Sequence, residues 1–247
     1  MNKYLHLEAY QVATYMFRQE RVVIDAIQPM LDCGKFFIKR VLGETVAVSA
    51  DILPDGHDIM QAEVMYKPAA SRKWSVERMR PLGNDRWEAS FTVSRQGFYQ
   101  YKIRAWVDYA LNWQHGIEAK LEDGQQVKSE LLDGVQYLEF LEGKVNKEDK
   151  AYIRELKSAF RDDAKYREAT TEAVAGRLRR LFLDYPQRKL AHTSDPLEVY
   201  VDRARANFST WYEFFPRSAS ETPGRHGTFT DCERLLPRIA DMGFDTV

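Results

Sequence analysis

The chain has 247 residues, 44% of them hydrophobic and 30% charged, with a formal charge of −1. That balance gives no argument for a nucleic-acid or acidic-membrane partner. Two distant cysteines, Cys33 and Cys232, and five scattered histidines leave no metal-ligand spacing. No run of about 18 apolar residues occurs, and MNKYLHLEAYQVATYMFRQE lacks a signal-peptide pattern. The reading is a cytoplasmic protein without metal or cofactor.

In chain order, residues 1–20 form an extension with no interpretable pattern. From Arg21 to Trp113 the dominant period is two. Val46, Val48, Ala50 and Ile52 share one face, as do Met60, Ala62, Val64 and Tyr66. Trp87, Ala89, Phe91 and Val93 repeat the alternation, and Tyr99, Tyr101, Ile103, Ala105 and Val107 follow. Pro54-Asp55-Gly56, Gly83-Asn84-Asp85 and Gln96-Gly97 separate the runs. Short alternating strands punctuated in this way predict an antiparallel, immunoglobulin-like β-sandwich.

After Trp113 the period becomes helical. Val127, Leu131, Leu132, Val135 and Leu138 make one stripe. Tyr152, Ile153, Leu156, Ala159 and Phe160 make a second, and Ala173, Val174, Leu178, Leu181 and Phe182 a third. Amphipathic helices must bury their stripes, so residues 114–185 are expected to form a small bundle. Period two returns at LEVYVD, where Leu197, Val199 and Val201 face one way. That strand is expected to rejoin the sandwich, which makes the bundle an insertion between residues 21–113 and 186–207.

The remaining residues, 208–247, read as strand, loop, helix and strand. WYEFFP suits a buried strand. Thr230 with Glu233 resembles a capping box. Cys232, Leu235, Leu236, Ile239 and Met242 keep helical spacing, and Gly243 stands where the helix would stop. Pro237 predicts a kink or two short pieces near Leu236, because an interior proline costs about 3 kcal/mol. A parallel strand–helix–strand unit needs cover on both faces, so this segment reads as the truncated start of a larger α/β domain.

No residue set makes a convincing active site. Asp162-Asp163 and the Glu221…Asp231 pair read as solvated surface. His115 and His192 receive no role. Ser218 lacks the G-x-S-x-G context of a nucleophile elbow, and Gly224 and Gly227 form no phosphate-binding pattern. Arg225 and His226 lie in a loop after a strand, a position that carries function in α/β barrels and otherwise simply satisfies the loop backbone. Trp74, Trp87, Trp106 and Trp113 are candidates for a sugar-stacking platform. Trp87 falls on a core face. Trp106 falls opposite Tyr101 and Ile103, which makes it the candidate for a glucan or interface contact.

WYEFFPRS, HGTF and a helix closing on MGFDTV are similar to the first strand, first helix and second strand of the α-amylase family (β/α)₈ barrel. RVVIDAIQPMLDCGKFFIKRVLGETVAVSADILPDGHD, PLGNDRWEASFTV and YVDRARANFSTWYEFFPRS resemble the amino-terminal region of bacterial α-1,4-glucan:maltose-1-phosphate maltosyltransferases. The likeness covers about residues 21–113 and 197–247, and the helical stretch agrees mainly in placement. It implies a homodimeric, retaining glycosyltransferase of glycogen or α-glucan metabolism that needs no cofactor. Its donor would be α-maltose 1-phosphate, its acceptor an α-1,4-glucan, and phosphate would be released. A barrel takes about 250 residues, and retention takes two carboxyl groups about 5–5.5 Å apart. The catalytic residues are therefore expected beyond Val247 and none is assigned here. Another α-amylase-family enzyme, such as a branching enzyme or maltogenic amylase, and a stand-alone glucan-binding or oligomerisation module are the competing readings.

Overall fold

The computed structural model describes residues 21–247, so the extension read at residues 1–20 lies outside the described residues. Eight strands come first: β1 (Val22–Gln28), β2 (Ile38–Val41), β3 (Thr45–Pro54), β4 (Met60–Pro68), β5 (Ser75–Arg78), β6 (Arg80–Gly83), β7 (Arg86–Thr92) and β8 (Gly97–Val107). Five helices follow: α1 (Tyr109–Glu122), α2 (Lys128–Glu142), α3 (Lys147–Phe160), α4 (Tyr166–Ala173) and α5 (Gly176–Asp184). Then come β9 (His192–Thr193), β10 (Leu197–Asp202) and α6 (Phe229–Asp241).

The strands form two sheets, one ordered β1-β3-β7-β6 and the other β2-β10-β8-β4-β5, with β9 added beside β8. Their inner faces share one core. Val46, Val48, Ala50 and Ile52 from β3 and Phe91 from β7 meet Ala62 and Val64 from β4 and Tyr99, Tyr101 and Ile103 from β8. Alternation puts every second side chain on that face, and burial of each large one is worth about 1.5–3 kcal/mol. Tyr66 stacks on Phe91 at 4.3 Å between ring centroids. The turn between β6 and β7 uses Gly83, Asn84 and Asp85, all at positive φ, where glycine, asparagine and aspartate are the tolerated residues.

β10 lies between β8 and β2. It runs antiparallel to β8, with Val199 opposite Tyr99, and parallel to β2, with Val199 opposite Ile38. The expectation of purely antiparallel sheets therefore needs correction at this edge. A strand that arrives after 80 or more intervening residues is not bound to the hairpin geometry that forces antiparallel pairing.

The helices build a second core. Leu111 and Ile117 of α1, Leu131 and Leu138 of α2, Ile153 and Phe160 of α3, and Leu178 and Phe182 of α5 pack together. Trp113 sits among them. Its ring centroid is 5.8 Å from those of Tyr137 and Phe160, and its indole N–H donates to the Glu130 carbonyl at 2.6 Å. Gly134 permits this approach, because a Cβ there would fall 2.1 Å from the Trp113 ring. Trp113 is thus a packing residue and not a sugar platform. Leu132, read as part of the α2 stripe, is 50% exposed; it follows Leu131 by about 100° and turns off the buried face.

The last segment departs most from expectation. WYEFFP is not a strand. Trp211 makes one isolated parallel bridge to Thr246, and Pro216–Ala219 is a 3₁₀ turn. No barrel is present among the described residues. α6 runs unbroken through Pro237, whose ring removes one backbone donor without ending the helix. Its N-cap is Thr228, with Asp231 completing the capping box, not the Thr230 and Glu233 pair.

Candidate functional site

Trp106 is 1% exposed, which corrects its assignment to the surface. Its parity along β8 does point away from the sandwich core. The chain after α5 returns across that outer face and covers it. Arg188 lies over the indole at 5.1 Å. The same guanidinium reaches buried Glu63, with Nε donating to Oε1 at 3.1 Å and Nη2 to Oε2 at 2.7 Å. Arg104 also donates to Glu63 Oε1, through Nε at 2.6 Å. A buried carboxylate held by two arginines fastens the crossover to the sheet. Glucan cannot reach Trp106 in this arrangement, where the ring is buried beneath Arg188.

Arg225 and His226 are exposed, in the loop that leads into α6. Asp231, read as solvated surface, is 5% exposed and organises that loop. Its Oδ2 accepts from the Thr228 N–H and hydroxyl, each at 2.8 Å, and from Arg225 Nη2 at 3.2 Å. Its Oδ1 accepts from Arg234 Nη1 at 3.3 Å. The Thr228 donors, followed by Arg225 and Arg234, hold the Asp231 carboxyl below the ordinary carboxylate range. Gly227 anchors the other side. Its N–H donates to the Arg217 carbonyl at 2.9 Å, and a Cβ at this position would lie 2.2 Å from the Pro216 carbonyl oxygen. The sequence signal for this hub was a T-x-x-D spacing at Thr228, hidden beside the T-x-x-E spacing two residues on.

Around this loop the segment from residue 208 leaves large apolar groups open. Trp211 is 70% exposed and Phe229 81%, and Phe208, Phe215, Leu236 and Met242 are exposed as well. Trp211 and Thr246 nonetheless pair in parallel, supported by the Tyr212 N–H to Thr246 carbonyl bond at 2.9 Å. Thr210 and Asp245 add a side-chain clasp, the Thr210 hydroxyl donating to Asp245 Oδ2 at 3.2 Å.

Among the described residues no group of three or more His, Cys, Asp or Glu side chains could hold a metal ion. Among those residues, too, no helix is long and apolar enough to cross a membrane. Asp162 and Asp163 are exposed; the first caps a turn through Ala164 N–H and the second pairs with Lys128 at 2.5 Å.

Comparison with known proteins adds a family. Residues 20–203 match the model described as "Alpha-1,4-glucan:maltose-1-phosphate maltosyltransferase, domain N/S". The chain is 42% identical over 233 residues to the enzyme of that name from Chlorobaculum tepidum, covering 93% of this chain and 34% of the relative. It is 40% identical to the one from Methylacidiphilum infernorum, with 93% and 34% covered. The Myxococcus xanthus relative is 38% identical, with 92% and 35% covered. The chain thus spans about a third of the length of the curated relatives it matches.

Proposed function

The chain belongs to the α-1,4-glucan:maltose-1-phosphate maltosyltransferase family, and from that premise we propose that it is the amino-terminal, non-catalytic portion of such an enzyme. The whole protein would transfer maltosyl units from α-maltose 1-phosphate to an α-1,4-glucan with retention, releasing phosphate, in the cytoplasm and as a homodimer. In this reading the two sheets are an immunoglobulin-like sandwich, and together with the helical insertion they contribute to dimerisation and to the acceptor side of the enzyme. Residues 208–247 are the first strand, first helix and second strand of a catalytic (β/α)₈ barrel.

One observation carries the reading. The segment holds a parallel Trp211–Thr246 bridge with a helix between its two sides, yet its large aromatic groups are open to solvent. Parallel pairing belongs to sheets covered on both faces, and exposed apolar area of this extent marks a surface awaiting a neighbour. Further barrel strands and helices are that neighbour. The carboxylate nucleophile and acid of a retaining reaction would sit on those later strands. Arg225 and His226 would then lie in the first strand-to-helix loop, which opens on the face where barrel enzymes bind substrate.

The test is phosphate release from α-maltose 1-phosphate in the presence of maltooligosaccharide. The protein at the full length its gene encodes should release phosphate and lengthen the acceptor. Residues 1–247 alone should do neither. Release by the 247-residue chain, lost on changing one of its own carboxylates, overturns the proposal, as does an inactive full-length protein.

A further inference from the structure

The loop ahead of α6 is pinned on both sides of a single residue. On one side Arg225 is tied to buried Asp231 at 3.2 Å. On the other, Gly227 is pressed on the Pro216–Ala219 turn so closely that no side chain fits, and its N–H is bonded to the Arg217 carbonyl. Between them stands His226, exposed and without a hydrogen bond or ion pair to any described residue. Among the described residues His226 has no packing role.

We propose that Asp231 and Gly227 are positioning residues that hold His226 out as a contact to the hydroxyl groups of the sugar substrate. The inference rests on the barrel reading above, which places this loop on the substrate-binding face. An imidazole donates from one ring nitrogen and accepts at the other. That pairing suits neighbouring sugar hydroxyls, each of which donates and accepts. Holding the chain on both sides of the histidine, at Arg225 through its side chain and at Gly227 through its backbone, lowers the ordering entropy lost on binding. Arg225, with Nη2 committed to Asp231, acts as the tether. The aspartate also caps α6, so the test has to separate cap from clamp.

Asp231→Asn does so, because an amide oxygen still accepts from the Thr228 N–H but pairs poorly with both arginines. It is tested in the protein at the full length its gene encodes, with α-maltose 1-phosphate and maltooligosaccharide. Asp231→Asn should speed hydrogen exchange at the amides of residues 225–228. It should also raise KM for one sugar substrate about tenfold, the loss of one hydrogen bond, with kcat changed less than about twofold. His226→Ala should raise the same KM without changing exchange, and His226→Gln should recover part of the loss. The double variant should be no worse than His226→Ala, since both act through one contact. Unchanged exchange in Asp231→Asn overturns the clamp, and unchanged KM in His226→Ala overturns the contact. If the wild-type protein transfers no maltosyl while Asp231→Asn still loosens the loop, the proposed function and the sugar contact fall and the clamp stands.

Discussion

Arg188 grips Glu63 with two nitrogens across 125 residues of sequence, Nη2 on Oε2 at 2.7 Å and Nε on Oε1 at 3.1 Å. Glu63 is on β4 and is buried; Arg188 belongs to the chain leaving the helical insertion. The pair joins the insertion to the sheet that it interrupts. Glu63→Ala should destabilise the protein by about 3 kcal/mol, because it strips the buried partner from two arginines. Arg188→Ala should cost less, about 1–2 kcal/mol, since Arg104 still holds the carboxylate and Arg188 is part-exposed. Urea unfolding of both variants measures the order. Losses of no more than about 1 kcal/mol in both variants would show that the pair contributes no more than a surface bridge.

Trp106→Ala should cost about 3–5 kcal/mol, as expected for removing a large buried ring. Trp106→Phe should cost less, because the buried indole N–H has no partner among the described residues and its loss carries no penalty. Neither change should alter glucan affinity in excess of its effect on the folded fraction. Isothermal titration with maltooligosaccharide at a temperature where both variants are folded tests that statement.

Gly134→Ala should destabilise the helical core by about 1–3 kcal/mol through overpacking against Trp113. A Cβ at 2.1 Å from the ring cannot be absorbed without moving it. Trp113→Phe added to Gly134→Ala should recover part of the loss, since the smaller ring retreats from the new methyl. Thermal unfolding of the single and double variants reads the coupling.

Glu142 supplies a pH dependence. Hydrogen bonds from Arg154 and then Lys157 lower its pKa from the ordinary 4.5 to about 2. A carboxyl whose folded pKa is depressed adds stability above its unfolded pKa, and that contribution disappears as pH falls through the folded value. Wild type should therefore be more stable than Glu142→Gln at pH 7, and the gap should shrink between about pH 4.5 and 2. A gap independent of pH across that window would assign the difference to packing and not to charge.

Period two in β3, β4, β7 and β8 was enough to place most of the shared sandwich core, because alternation along a strand is a local property of the chain. The switch to helical spacing, and the return at Leu197–Asp202, likewise marked the insertion, whose residues carry their own amphipathic pattern. Residues 208–247 read from the sequence as a strand–helix–strand unit, of which the structure shows the helix and one parallel bridge. Tertiary structure decided the rest. Trp106 faces away from the sandwich as its parity requires, but Arg188 and the returning chain bury it, and no local pattern reports what arrives from 80 residues on. Asp231 looks like any surface carboxylate until Arg225, Arg234 and Thr228 converge on it. β10 inserts parallel to β2 because its neighbours are set by packing and not by a turn. WYEFFP has the composition of a strand and lacks one, since a strand exists through hydrogen bonds to its neighbours, and here a single bridge to Thr246 is all that the described residues provide.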